Sequence, residues 1–187
     1  MMDELKKRTW AEISLENIEH NYHRIREHIP EGTKFLGVVK ADAYGHGSLR
    51  IAHLLEDNGA DYLAVSCLDE ALELRNDGIK MPILILGHTP EEFVETLIDN
   101  NITQTVSNRA KAESYSQECR QIGKTLKVHI KVDTGMSRLG FLCEDGMFDE
   151  GIRNMSIACS MKNLDCEGIY THFAVSDEPG EENKEYT

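Results

Sequence analysis

The chain has 187 residues, 40% of them hydrophobic, with 33 acidic against 20 basic side chains and a formal charge of −13. This acidic balance argues against a nucleic-acid groove or an anionic membrane surface, because both need clustered Lys and Arg side chains. The hydrophobic content is enough for a substantial core, and the length permits one large domain or two small ones.

The first predicted element is a helix that begins after Ser14, a good N-cap residue, and ends before Pro30. A strand over residues 34–39 follows, and then a helix over residues 48–58 that Gly59 terminates. The apolar face of the first helix is formed by residues at 3–4 spacing, Leu15, Ile18, Tyr22, Ile25 and Ile29.

The middle of the chain continues the alternation of helices and strands. Thr89 can cap a helix, Pro90 suits its first position, and Glu92 would complete a capping box. A further helix is predicted over residues 107–122. The following run, 127–132, is largely apolar or β-branched, which is typical of a parallel strand buried on both faces.

The alternation predicts an α/β fold built from parallel βαβ units. Both a doubly wound sheet and a (β/α)8 TIM-type barrel fit this pattern. A full barrel has eight strands and typically about 250 residues, so a barrel here would be incomplete, with about six strands. The acidic segment 176–187 is not predicted to be a strand. The predicted strands end at six places: Val39, Val65, Leu86, Val106, Val132 and, roughly, Tyr170.

The N-terminus and the cysteines indicate where the protein works. Residues 1–10 are polar and charged, so we expect no secretory signal, and the longest apolar run, residues 81–86, is too short to cross a bilayer. The five cysteines form an odd set without a C-x-x-C pair. The sequence therefore predicts reduced thiols in a cytoplasmic protein, with neither a disulfide scaffold nor a zinc site.

Functional groups in α/β folds gather beyond the carboxyl ends of strands, and Lys40 follows such a strand directly. A lysine amine that burial keeps neutral is a nucleophile that forms Schiff bases with carbonyl compounds. Position alone favours a lysine whose stem lies on the core while its amine stays in water. Tyr44, Gly45 and Gly47 favour a ligand site, because glycines allow close approach and a tyrosine hydroxyl can bind a phosphate.

Two further candidates follow later strands. Arg138 lies in a Gly-rich turn, and its planar guanidinium suits a carboxylate or an aromatic oxyanion, although an ion pair with Asp133 is a competing interpretation. His172 taken alone is more typical of a hydrogen-bonded core histidine than of a catalyst. Three histidines on the first helix lack a carboxylate at metal-ligand spacing, so we predict no metal site at His20, His23 and His28.

Together these segments resemble the alanine racemases, enzymes that interconvert L- and D-alanine with pyridoxal 5'-phosphate (PLP). The resemblance is strongest at V-V-K-A-D-A-Y-G-H-G (38–47) and at K-V-D-T-G-M-S-R-L-G-F (131–141). It is supported by W-A-E-I-S-L-E-N-I-E-H-N (10–21) and Y-T-H-F-A (170–174), and it runs over residues 9–175, nearly the whole chain.

The resemblance implies roles for individual residues. Lys40 would carry the Schiff base with PLP and exchange the α-proton on one face of the substrate. Tyr44 would bind the PLP phosphate, and Arg138 would bind the PLP phenolic oxygen and help seat the substrate carboxylate. His172 matches the histidine that links the second base to the arginine facing the pyridine nitrogen.

Two more positions match the family. Lys131 corresponds to a lysine that is carbamylated in many members, where the new anion braces the arginine. Met136 falls in the substrate-side turn. In this interpretation residues 1–187 are a truncated PLP-binding barrel without the C-terminal β domain, and the full-length family members are homodimers.

The implied function is the racemisation of alanine, a small amino-acid substrate, to supply D-alanine for bacterial peptidoglycan. The base on the opposite face belongs to the family's C-terminal domain, so we expect this chain alone to be inactive. Related alternatives are a serine or broad-specificity amino-acid racemase, a single-domain PLP-carrier protein and an amino-acid decarboxylase. From other classes, a non-enzymatic α/β binding module and a PLP-free Schiff-base lyase stay open.

Overall fold

The structure is a computed structural model that describes residues 9–143, 146–178, 180 and 181. Its strands are β1 (Leu36–Val38), β2 (Tyr62–Val65), β3 (Ile83–Ile85), β4 (Ile102–Val106), β5 (Leu126–Asp133), β6 (Phe141–Leu142) and β7 (Leu164–Thr171). Its helices are α1 (Leu15–His28), α2 (Lys40–Gly45), α3 (Ser48–Asp57), α4 (Leu68–Asn76), α5 (Val94–Asp99), α6 (Arg109–Ile122) and α7 (Phe148–Cys159), with a 3-10 turn over Glu91–Phe93 before α5.

The strands form one parallel sheet in which spatial order follows chain order. β5 lies between β4 and β7, while the two-residue β6 pairs only with Val132 and Asp133 at the end of β5. A doubly wound sheet is excluded, because its strand order reverses at a switch point. Within the described residues β1 and β7 do not pair with each other. The fold is therefore a TIM-type barrel wall that is open on one side, as predicted.

Burial explains why these segments become strands and helices. The sheet interior is apolar, with Leu63, Ile83 and Leu126 fully buried, and the helices cover its outer surface. The six predicted strand ends each agree with the structure to within one residue. The short β6 was not predicted, because two residues carry no readable period.

The predicted helix α1 is confirmed, although its apolar face is only partly buried. The hydroxyl of Ser14 accepts a hydrogen bond from the backbone N–H of Asn17 at 3.2 Å and caps the helix. Tyr22 is buried and packs edge-on against Phe35, with ring centroids 5.0 Å apart. Leu15 and Ile25 of the predicted face remain exposed.

The predicted capping box at residues 89–92 is wrong. Pro90 has an extended ψ of 148° and itself precedes the 3-10 turn, so Thr89 is too early to cap it. The Thr89 hydroxyl is buried without a hydrogen-bond partner, while the Thr89 carbonyl accepts the hydroxyl of Tyr115 at 2.6 Å. The helix predicted over residues 107–122 is α6, which begins at Arg109 behind an Asn108 cap, slightly later than predicted.

All five cysteines are free thiols, in agreement with the sequence prediction. Two of them touch, since the Sγ atoms of Cys159 and Cys166 are 2.8 Å apart. No helix in the described part of the chain combines the length and apolarity that a membrane span needs. Of the predicted non-strand segment 176–187, residues 176–178 form a turn, whereas 179 and 182–187 lie outside the described residues.

Candidate active site

A cavity of about 550 Å³ lies at the carboxyl edge of the sheet. It brings together five predicted site residues that lie far apart in the sequence, namely Lys40, Tyr44, Lys131, Arg138 and His172. Met136, the sixth, lines a small neighbouring depression that also borders Lys131, Arg138 and His172. The structure therefore places all six in one region.

The first side of the cavity is the left-handed turn α2, which begins at Lys40. Val39 extends the pairing of β1, because its N–H donates to the carbonyl of Ala64 at 2.9 Å. The next four residues, 41–44, have φ between 49° and 56°, so a short helical turn of left-handed sense follows the strand. Left-handed conformation costs about 1–2 kcal/mol per non-glycine residue, and such strain concentrates at functional sites.

The turn fixes Lys40 and Tyr44 on the same side of the loop. The Lys40 amine lies 5.9 Å from the centroid of the Tyr44 ring, and the tyrosine is 63% exposed at the cavity mouth. Ala43 is buried, and the Asp42 carboxylate accepts the N–H of Ser48 at 2.7 Å, which joins the turn to α3. Glu70 of α4 accepts the N–H of Ala41 at 2.8 Å.

The opposite side of the cavity is the loop after β5, which the carboxylate of Asp133 organises. It accepts the backbone N–H groups of Gly135 at 3.1 Å, Ser137 at 2.9 Å and Arg138 at 2.9 Å. Burial by itself would raise the pKa of Asp133, but these three donors and Lys131 hold it below its usual value. Asp133 thus shapes the loop by accepting these backbone N–H groups. The competing interpretation of an Asp133–Arg138 ion pair has no support, because no such pair occurs among the described residues.

Gly140 lets this loop return against β5. It has φ of +140°, and a Cβ atom there would lie 2.5 Å from the backbone N of Asp133 and 2.7 Å from the carbonyl carbon of Val132. No side chain fits in that space, so a glycine is required at this position.

The electrostatics of the cavity favour an anionic ligand. Lys131 is buried, and burial, Arg138 and Lys40 together lower the pKa of its amine, against the opposing effect of Asp133. Partial desolvation lowers the pKa of His172, although the residue as a whole is exposed, and the charges of Arg138, Lys131 and Lys40 lower it further. The positive charge of each basic group therefore makes protonation of the others less favourable, and an anion bound between them would relieve this repulsion.

Several residues of the site were missed by the sequence analysis. Tyr170 was quoted in a motif without a role, yet its ring lies 5.8 Å from the Lys131 amine and its hydroxyl is 2.9 Å from that of Thr105. Its position at the end of β7 was the available signal. Glu70 and Thr105 act through contacts to distant segments, and no local pattern reveals them.

Residues 13–187 match the family described as alanine racemase, N-terminal domain. The chain belongs to this family. Its relatives include alanine racemase 1 of Clostridium acetobutylicum, 46% identical over 95% of this chain and 44% of the relative. A solved structure of Clostridium difficile alanine racemase in complex with cycloserine superposes with a TM-score of 0.87 at 41% identity, over 96% of this chain and 48% of that one.

A third relative extends the comparison beyond alanine racemases. The structure of a histidine racemase from Leuconostoc mesenteroides has a TM-score of 0.79 at 31% identity, and it covers 93% of this chain and 45% of that one. The chain thus spans about half the length of the racemases that it matches.

Proposed function

We propose that this chain forms the cofactor-binding barrel of a PLP-dependent alanine racemase. One observation carries the proposal: a primary amine, Lys40, shares a cavity with Lys131, Arg138 and His172 at the carboxyl edge of a barrel wall. This arrangement combines a group that reacts with an aldehyde with groups that attract anions.

The cavity fits PLP by size and by chemistry. Its volume of about 550 Å³ is within the range of about 300–1,000 Å³ for small-molecule sites. The Lys40 amine matches the aldehyde, the Tyr44 hydroxyl suits the phosphate, and the Arg138 guanidinium suits the phenolic oxygen or a carboxylate. When bound, the cofactor supplies an electron sink that makes the α-proton of an amino acid removable.

The residues of this chain have separate tasks in that reaction. Lys40 holds or accepts the α-proton at Nζ on one face of the substrate, a general acid–base role. Arg138 orients the substrate carboxylate, and Met136 borders the same end of the cavity. His172 carries its proton less readily than a free histidine, which suits a link in a chain of proton donors and acceptors.

Lys131 is proposed as a carbamylation site. Its buried amine has a lowered pKa, and a neutral amine attacks carbon dioxide to form a carbamate while it releases one proton. The product is an anion close to Arg138. It would replace a repulsion between two basic groups by an attraction that braces the guanidinium.

The remaining features of the proposal concern the whole enzyme. We infer that residues 1–187 form part of an N-terminal PLP-binding barrel domain. We also infer that the whole enzyme is a cytoplasmic homodimer with a role in D-alanine supply for peptidoglycan. The five free thiols support the location. Because racemisation needs a base on each face of the substrate, and only Lys40 is assigned one here, we expect the 187-residue chain alone to be inactive.

Covalent trapping tests this proposal directly. The purified chain is titrated with PLP, its visible absorbance is recorded, and the product is reduced with borohydride and mapped by peptide mass spectrometry. We expect an adduct on Lys40 that K40A abolishes and that K80A, a change at an exposed lysine outside the cavity, preserves. Adducts scattered over surface lysines at equal yield would contradict the proposal.

A second substrate is favoured by one observation, the similarity to a histidine racemase. Adding L-alanine, L-serine or L-histidine to the PLP-loaded chain separates the alternatives by their effect on its absorbance. Preference for alanine supports the primary proposal, while an equal response to all three indicates a broad-specificity racemase. A loaded chain that responds to none would fit a PLP carrier.

A further inference from the structure

A carboxylate on α4 connects two loops at the carboxyl edge of the sheet. Glu70 accepts the N–H of Ala41 through Oε1 at 2.8 Å and the N–H of Ser66 through Oε2 at 2.6 Å. Ala41 follows Lys40 in the left-handed turn, and Ser66 follows β2 and lines the cavity. One side chain therefore links the two loops to each other.

The turn has few other attachments. Among the described residues, Glu70 provides the only side-chain hydrogen bond from another element to the backbone of Lys40–Gly45. The remaining bonds are made within the turn and its flanks, including Ala43 N–H to the Val39 carbonyl at 2.9 Å. Left-handed residues are held only where the surroundings over-determine them, and Glu70 supplies that constraint from outside.

The ordinary explanation for Glu70 is helix capping. It occupies the third position of α4, whose N-cap residue Cys67 makes no side-chain cap. Its Oε2 accepts the N–H of Ser66, the residue just before the N-cap. Capping accounts for one of the two oxygens. The bond from Oε1 to Ala41 lies outside α4 and is not explained by capping.

We propose that Glu70 is a positioning residue that fixes the left-handed turn and thereby the direction of the Lys40 amine. The expected effect on adduct formation rests on the proposed function, because the turn presents the lysine that reacts with PLP. Glu70 itself does not line the cavity. Its effect reaches the site through the backbone N–H next to Lys40.

The test compares E70A, E70Q and the control D69N, which changes a neighbouring exposed carboxylate in the first turn of the same helix. Residue-resolved amide exchange is measured without cofactor, and the rate of Lys40 adduct formation is measured with PLP. We expect E70A to accelerate exchange of the Ala41 amide and to slow adduct formation, each by about tenfold. A tenfold change corresponds to about 1.4 kcal/mol, which is of the order of one lost hydrogen bond to a charged group.

The conservative variant separates positioning from folding. In glutamine one of the two carboxylate oxygens is replaced by an NH2 donor, so only one of the two N–H groups keeps its acceptor. E70Q should therefore restore part of the adduct rate while it folds like the wild type. D69N should match the wild type in both measurements. If E70A is unfolded, the E70Q result decides.

The outcomes distinguish this inference from the proposed function. Faster exchange at Ser66 and α4, with Ala41 exchange and the Lys40 adduct unchanged, means that Glu70 is only a cap and overturns the inference. If the wild-type chain forms no Lys40 adduct while Ala41 exchange still depends on Glu70, the proposed function fails and the restraint on the turn is upheld.

Discussion

The two edges of the sheet use charge in opposite ways. At the amino edge, the guanidinium of Arg75 donates to four backbone carbonyls, those of Asn100, Ile79, Met81 and Asn101, at 2.8–3.0 Å. At the carboxyl edge, Lys40, Lys131, Arg138 and His172 face a common cavity, and none of them belongs to an ion pair of the described residues.

Other charges at the amino edge are also matched with partners. Arg26 pairs with Asp61 at 3.2 Å, and Lys127 at the start of β5 pairs with Glu167 at 3.3 Å. We infer from this contrast that the amino edge contributes stability, whereas the like charges at the carboxyl edge lower it. A cluster of basic side chains without ion-pair partners is typical of a site that binds an anion.

The largest expected effect is at Arg75. In R75A the four carbonyls lose their shared donor, so we expect the free energy of unfolding to fall by about 2–4 kcal/mol in a urea titration. R24A removes an exposed pair with Glu27 on α1 and should change it by no more than about 0.5 kcal/mol. Equal effects of the two substitutions would break the comparison.

A smaller effect of opposite sign is expected at Lys131. K131M replaces a buried amine among like charges by an apolar side chain of similar length, and it should raise the free energy of unfolding by roughly 1 kcal/mol. K127M, four residues earlier on the same strand, removes the pair with Glu167 and should lower it by about 0–1 kcal/mol. Thermal or urea unfolding of both variants checks the sign, and destabilisation by K131M would show that the carboxyl edge carries no such cost.

The smallest effect concerns pH. His172 has a lowered pKa in the folded protein, so below its ordinary value of 6.5 the unfolded chain binds more protons than the folded one. The free energy of unfolding should therefore decrease as the pH falls from 6.5 toward the folded pKa, and this contribution should be constant above 6.5. H172Q should flatten that part of a pH–stability profile slightly, because the side chain is exposed. A steeper profile in H172Q would contradict the sign.

The sequence predicted those features that depend on neighbours along the chain. Strand ends at Val65 and Val106 and the Ser14 cap follow from local periodicity and capping chemistry. Lys40 and Arg138 were found because each follows a strand, and parallel strands bring their carboxyl ends to one edge. Their approach to a common cavity is therefore a property of the fold class.

The rest depended on contacts between distant segments. The four consecutive left-handed residues after Lys40 are not indicated by their types, since alanine and tyrosine rarely adopt that conformation. The Glu70 contact to Ala41 and the contact between Tyr170 and Thr105 span 29 and 65 positions. The predicted Thr89 cap was wrong because Pro90 has an extended ψ, so the 3-10 turn starts one residue later than the capping box requires.

The agreement between spatial order and chain order has a consequence for how the protein is made. Each strand from β2 to β5 pairs with the strand synthesised just before it, and β7 pairs with β5. Pairings of this kind close short loops, and domains order from the N-terminus during synthesis. When a strand emerges from the ribosome its partner is already present, so the barrel wall can grow strand by strand, with the newest edge as the template for the next addition.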